Sequence, residues 1–254
     1  MKENMLYIKK YSGFIISIVI GLLLYEEANY AYTYRTATAY SDHMIYRLIL
    51  SMGSGSSGWN GILFPILAAL PMGILYVREY RSGYLKLRLQ KMSRKRYVAV
   101  TLIQNAIFGG LGLLIPYAVY CLHLYFQYGT KAYLNIKEGE TVIMFYPKLA
   151  ASNTIAYVCL LGAFVLLAGV TFATFAIGIS AWIKNTFLTL ILPFVLCIAM
   201  AILIPDNRFD LLLIFAPNGY AWASVPIILI MSGILILTGI ILFAVGVKKE
   251  YAKL

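Results

Sequence analysis

Charge is scarce in this sequence: only 12% of its 254 residues are Asp, Glu, Lys or Arg and 61% are hydrophobic. Soluble domains carry roughly a quarter charged residues, so a water-soluble fold is excluded. Cysteine is sparse as well. Cys121, Cys159 and Cys197 are an odd set, each inside a long apolar run, which supports neither a disulfide framework nor a thiolate metal site. Histidine occurs only at His43 and His123, with no His-Glu-x-x-His, and the acids form no cluster suited to a hard cation. The Gly/Ser stretch from Gly53 to Gly58 has no Gly-Lys-Ser/Thr after it, so the phosphate-cradling loop of a nucleotide-binding protein is missing.

What the sequence does have is long apolar runs, at about 12–32, 59–77, 98–127, 154–183, 186–204 and 222–247. A hydrocarbon core of about 30 Å needs roughly 20 mainly apolar residues in a helix. Six such spans with their loops use the whole chain as one all-α membrane domain. Lys9-Lys10 followed by Gly13 to Tyr25 has the form of a signal peptide, but the small-residue site Ala37-Thr38-Ala39 lies too far downstream. An uncleaved first span is expected.

The net charge of +11 is explained by where the cations sit, without nucleic acid. With the N-terminus inside, the inner segments hold fifteen of the 21 Lys and Arg residues, eight of them between Arg78 and Arg96. The outer segments hold Arg35, Arg47, Lys131, Lys137, Lys148 and Arg208. Acids reverse the bias, with Glu3, Glu79 and Glu250 inside and the other seven outside. Cations are retained on the cytosolic side during insertion, so both termini are expected in the cytosol. Tyrosines and tryptophans gather near the outer boundary, where amphipathic rings favour the headgroup layer.

Several function classes lose support here. Gly178-Ile179-Ser180 resembles the Gly-x-Ser of intramembrane serine proteases, but His123 lies roughly 35 Å away along the helices and His43 is in an outer loop. No base can reach that serine. The middles of the spans hold no ionisable group of the kind that ion-coupled transporters use. Gln104 and Asn105 are polar and uncharged, suited to hydrogen bonds between helices. Glu26 and Glu27, near the outer end of span one, are expected to face water. Gly169 with Ala173, Ala176 with Ser180, and Gly239 with Gly246 are spaced for close helix contact, within a chain or between chains. Pro65, Pro71, Pro116 and Pro193 lie inside spans, where neighbouring helices can satisfy the freed carbonyls.

The connection between spans two and three carries the most information. From Arg78 to Tyr97, Leu85, Leu89 and Met92 fall on one side of a helix while Lys86, Gln90 and Lys91 point elsewhere. A short amphipathic helix at the cytosolic surface is expected, and anionic lipid accounts for its charge but only for part of its pattern.

Glu79 with Gly83 four residues on, this apolar and basic helix, and Ser93-Arg94-x-x-Tyr97 ahead of span three together resemble the ABC-2-type permeases, six-helix membrane subunits of ATP-binding-cassette exporters. Ile177 to Asn185 running straight into span five, and Phe215-Ala216-Pro217-Asn218 before span six, are also like that family. Lys91-Met92 stand where the family often has a proline. The resemblance implies a multi-pass plasma-membrane protein of a prokaryote. Two such subunits, identical or paralogous, would sit in the bilayer on two cytosolic ATPase chains. ATP and Mg²⁺ would be bound by those chains, with no cofactor and no catalysis in this one. It also implies that 82–92 is a coupling helix, with Glu79, Gly83, Tyr84, Leu85, Arg88, Leu89, Lys91 and Met92 at the ATPase contact. Leu85, Leu89 and Met92 would be its apolar anchors, and Arg88 and Lys91 would pair with acidic rim residues. Asp at Leu85 and Leu89 is then expected to release the partner without unfolding the bundle. Met5 to Lys10 would be an interfacial helix, and 205–221 an outer re-entrant segment. The substrate is not specified. A membrane sensor or scaffold, or an ion-coupled transporter, are the alternative readings.

The orientation is testable. A cysteine placed at Ser54 is expected to react with an impermeant thiol reagent on intact cells and one at Ser93 to stay unlabelled; the opposite pattern would invert the topology.

Overall fold

The computed structural model describes residues 2–35, 44–52, 60–130, 146–204, 209–211 and 225–252. Within them the chain forms α1 (Lys2–Arg35), α2 (Met44–Met52), α3 (Asn60–Arg81), α4 (Tyr84–Lys91), α5 (Arg94–Tyr128), α6 (Pro147–Ser152), α7 (Thr154–Ile183), α8 (Thr186–Leu203) and α9 (Val225–Tyr251). Six of these are long and apolar enough to cross a membrane: α3, α5, α7, α8 and α9 over their full lengths, and α1 over Tyr11–Tyr30. The molecule is a multi-pass helical membrane protein. The Gly53–Gly58 stretch and most of the expected re-entrant segment, Phe215 to Asn218 included, lie outside the described residues.

The bundle is organised around α7, on which α3, α5, α8 and α9 all pack. Lipid tails are as apolar as leucine, so helices in a bilayer are held by dispersion at close range, which small residues permit. A Cβ on Gly169 would stand 2.5 Å from the Gly109 carbonyl oxygen of α5, and one on Gly178 would stand 2.6 Å from the Gly239 carbonyl oxygen of α9. Backbone therefore meets backbone on both sides of α7. The small-residue spacing of Gly169 and Gly239 serves contacts inside one chain. Ser17 of α1 adds a hydrogen bond, its hydroxyl donating to the Leu67 carbonyl of α3 at 2.9 Å.

Two elements differ from the sequence expectation. The first helix runs unbroken from Lys2 to Arg35, so Met5 to Lys10 is the start of the same helix, ahead of its apolar span at Tyr11–Tyr30, and does not form a separate interfacial helix. The second is α2, inside what reads as an outer loop. Ile45, Leu48, Ile49 and Met52 are each at most 2% exposed, and they pack among Tyr25, Phe64, Tyr117 and Leu124. Nine residues are too few to span a bilayer, so hydropathy over a membrane-length window passes over this helix. Its apolar residues at helical spacing were the available signal.

Adding volume at the α7 seam is expected to be costly. Gly169→Val should lower bundle stability by about 1–3 kcal/mol, the usual cost of overpacking, read as an earlier thermal unfolding midpoint in detergent. An equal substitution at Gly233, beside which a Cβ would find open space, should leave the midpoint unchanged.

Candidate functional site

The connection from α3 to α5 is a clamped helix. After Arg81 the backbone turns at Gly83, whose φ of 73° and ψ of −4° lie in the left-handed region, where residues bearing a Cβ are strained. The turn is fixed by the Gly83 amide donating to the Tyr80 carbonyl at 3.1 Å and the Ser82 amide donating to the Arg78 carbonyl at 3.0 Å. Met92 and Ser93, both extended, then lead into α5.

Leu85 and Leu89 are each 2% exposed. They belong to one buried cluster with Met72, Leu75 and Tyr76 of α3, Tyr97 of α5, Ile177 and Ala181 of α7, and Phe243 and Val247 of α9. The two leucines read from the sequence as partner anchors are thus anchors of α4 onto its own bundle. Burying each contributes about 1.5–3 kcal/mol, so Asp at these positions would detach α4 from the bundle itself. Met92 is half-buried against the same cluster. The outward face is made by Tyr84, Lys86, Leu87, Gln90 and Lys91, with Tyr84 52% and Leu87 54% exposed. Leu87 was missed in the sequence because the i, i+4, i+7 set of Leu85, Leu89 and Met92 already accounted for an apolar stripe.

Arg88 also turns inward. Its Nη1 donates to both oxygens of the buried Glu79 carboxylate, at 2.9 Å and 2.8 Å. Its guanidinium carbon stands 5.1 Å from the centre of the Tyr97 ring. Tyr97 stacks on Phe243, 6.4 Å between centroids, and Tyr76 meets the same ring edge-on at 5.4 Å. One guanidinium thereby ties α4 to α3 and α5, and the aromatic chain continues to α9.

A second ion pair closes the neighbouring corner. Lys184 ends α7 in the left-handed conformation, and the Asn185 side chain caps α8 by accepting from the amides of Phe187 at 3.0 Å and Leu188 at 3.4 Å. The Lys184 ammonium bonds Glu250 of α9 and lies 3.9 Å from the Tyr80 ring centre. Burial works against that ammonium, but the hydrogen bonds to Glu250 and Tyr80 outweigh it, and its pKa lies above the ordinary lysine value. The charge is therefore kept at neutral pH, and the ammonium gives up its proton only as the solution is made strongly alkaline. Trp182 donates from Nε1 to the Leu242 carbonyl at 2.9 Å, and Arg81 donates to the Lys184 carbonyl at 3.3 Å. The acids of this end that are described with their side chains, Glu79 and Glu250, each clasp a cation from a different helix.

The other sequence candidates sit elsewhere. Ser180 is fully buried and donates to the Ile177 carbonyl at 2.7 Å, a helix-internal bond. At the opposite end His123 Nδ1 lies 3.1 Å from Glu26 Oε1, both side chains about half exposed. Arg47, assigned to an outer loop, is 5% exposed and donates to Asn29 at 2.8 Å. Among the described residues no group of His, Cys, Asp and Glu side chains is arranged to hold a metal ion.

Comparison with protein-family models, curated proteins and solved structures finds no match.

The strength of the clamp can be measured. The pair is partly buried, with side chains 10% and 21% exposed, between an exposed pair worth about 0–1 kcal/mol and a buried one that costs about 3–5 kcal/mol to break. Glu79→Gln should cost about 2 kcal/mol, in the middle of that range. A double-mutant cycle with Arg88→Gln, read by thermal unfolding, should return a coupling of favourable sign; additive losses would mean that the contact carries no energy.

Proposed function

We propose that this chain is the membrane-spanning permease subunit of an ATP-driven exporter, moved by a separate cytosolic ATPase that docks on α4. The observation that carries this reading is the division of labour within eight residues. The inward side of α4 is fixed to the bundle by Leu85, Leu89 and Arg88, and the outward side offers Tyr84 and Leu87 together with the cations Lys86 and Lys91. A helix held so firmly transmits a push, because its displacement must carry α3 and α5 with it. Exposed aromatic and leucine side chains ringed by cations suit an apolar groove with an acidic rim.

Further support comes from composition. The transmembrane interiors carry no ionisable residue through which ion flow could be coupled to transport, and the sequence has no phosphate-binding loop, both of which favour an energy source in a partner. Both termini and α4 lie on the cytosolic side in this reading, in a plasma membrane, and two permease subunits form the path. The resemblance to ABC-2-type permeases points the same way, with Leu87 and Tyr84 replacing Leu85 and Leu89 as the residues offered to the motor.

The test is co-purification. A partner containing Gly-x-x-x-x-Gly-Lys-Ser/Thr should be identified by mass spectrometry with the parent chain and lost from a Lys86→Glu, Leu87→Asp variant whose unfolding midpoint is unchanged. ATP turnover should reside in that partner. A variant that retains its ATPase, or hydrolysis by this chain alone, would refute the reading; absence of any such partner would favour a sensor or scaffold.

A further inference from the structure

Tyr97, Thr101 and Asn105 recur at every fourth residue of α5, so they share one face of the helix. They are 0%, 3% and 1% exposed. The carbonyl oxygen and the amide nitrogen of Asn105 both lack a hydrogen-bond partner in the protein, as does the hydroxyl of Tyr76 on α3. Tyr76 and Tyr97 meet on the same Phe243 ring, which brings the α3 and α5 walls together at the α4 end. From Tyr97 to Asn105 the face runs about 12 Å toward the middle of the bundle at 1.5 Å per residue.

A primary amide has two donor hydrogens and an oxygen with two lone pairs. Held dry among apolar side chains, it would be the least favourable group in the core. The face carries hydroxyls and an amide and no charge, which suits a small neutral molecule that both donates and accepts, and does not suit a cation. Water meets those requirements. At its α4 end the face is covered by the Arg88 guanidinium, 5.1 Å from the Tyr97 ring centre and bonded to Glu79.

We propose that ordered water occupies a narrow inlet between α3 and α5, walled by Tyr76, Thr101 and Asn105, and that Arg88 of α4 is its stopper. Displacing α4 draws Arg88 away and joins the inlet to bulk water, so a movement at the surface becomes hydration in the bundle interior. The inlet requires no ATPase and no transported substrate. Its failure would leave the docking reading standing, and failure of that reading would leave the inlet standing.

Radiolytic hydroxyl labelling marks residues beside bound water even when bulk solvent cannot reach them. On the full chain in lipid nanodiscs, with rates normalised to those of the unfolded chain, Tyr76 and Tyr97 should be modified severalfold faster than Phe64 and Phe172, which are each 2% exposed in apolar surroundings. Asn105→Leu should bring the Tyr97 rate down toward theirs. Equal rates for the four residues in the parent chain, a comparison that needs no variant to fold, would overturn the inlet. In a chain with Cys121, Cys159 and Cys197 replaced by Ala, Thr101→Cys should react slowly with a small hydrophilic thiol reagent and severalfold faster once Arg88→Ala is added. Equally slow reaction in both would overturn the role of Arg88.

Discussion

Everything in this bundle depends on how closely α7 can approach its neighbours. A bilayer gives helices no reason to hide apolar surface from one another, so attraction between them rests on short-range contact, which falls away with a fraction of an ångström. Glycine at the two seams lets the carbonyls of Gly109 and Gly239 sit where side chains would otherwise stand. With α5 and α9 fixed against α7, Tyr97 and Phe243 come into register, and the pocket that receives Leu85 and Leu89 is formed. The position of α4 is thus a consequence of backbone packing some distance from it.

Electrostatics then secures what packing places. The basic end has many more cations than acids, and repulsion among them would spread the helix ends. Glu79 and Glu250 each bond a cation from another segment, the same two cations, Arg88 and Lys184, also lie over the rings of Tyr97 and Tyr80, and a third, Lys249, lies over Trp182. Aromatic faces accept cations without adding a carboxylate to a region bordering hydrocarbon. Glu79 and Glu250 tie helices together.

The membrane-spanning helices were legible in the sequence because a bilayer imposes one length and one composition on them. The runs at 154–183 and 186–204 match α7 and α8 nearly residue for residue. The short helix before α5 was legible too, through its apolar and basic spacing. Its facing was not. Leu85 and Leu89 are one turn apart, and that spacing defines a stripe without saying whether the stripe meets a partner or the parent bundle. Only the left-handed turn at Gly83, which rotates the helix onto α3, decides between them. Arg47 and α2 were hidden for a related reason: a nine-residue helix inside a tyrosine-rich loop is too short to register as a span. Buried Asn105 was read as a link between helices. Its unsatisfied amide appears only once the surrounding side chains are in place.

The bond between Lys184 and Glu250 joins residues 66 positions apart. During synthesis α7 and α8 are complete long before α9 emerges, and until then Lys184 has the Tyr80 ring but no carboxylate, above an uncovered groove at Gly178. Arrival of α9 closes the groove, neutralises the cation and supplies the Leu242 carbonyl to Trp182 in one event.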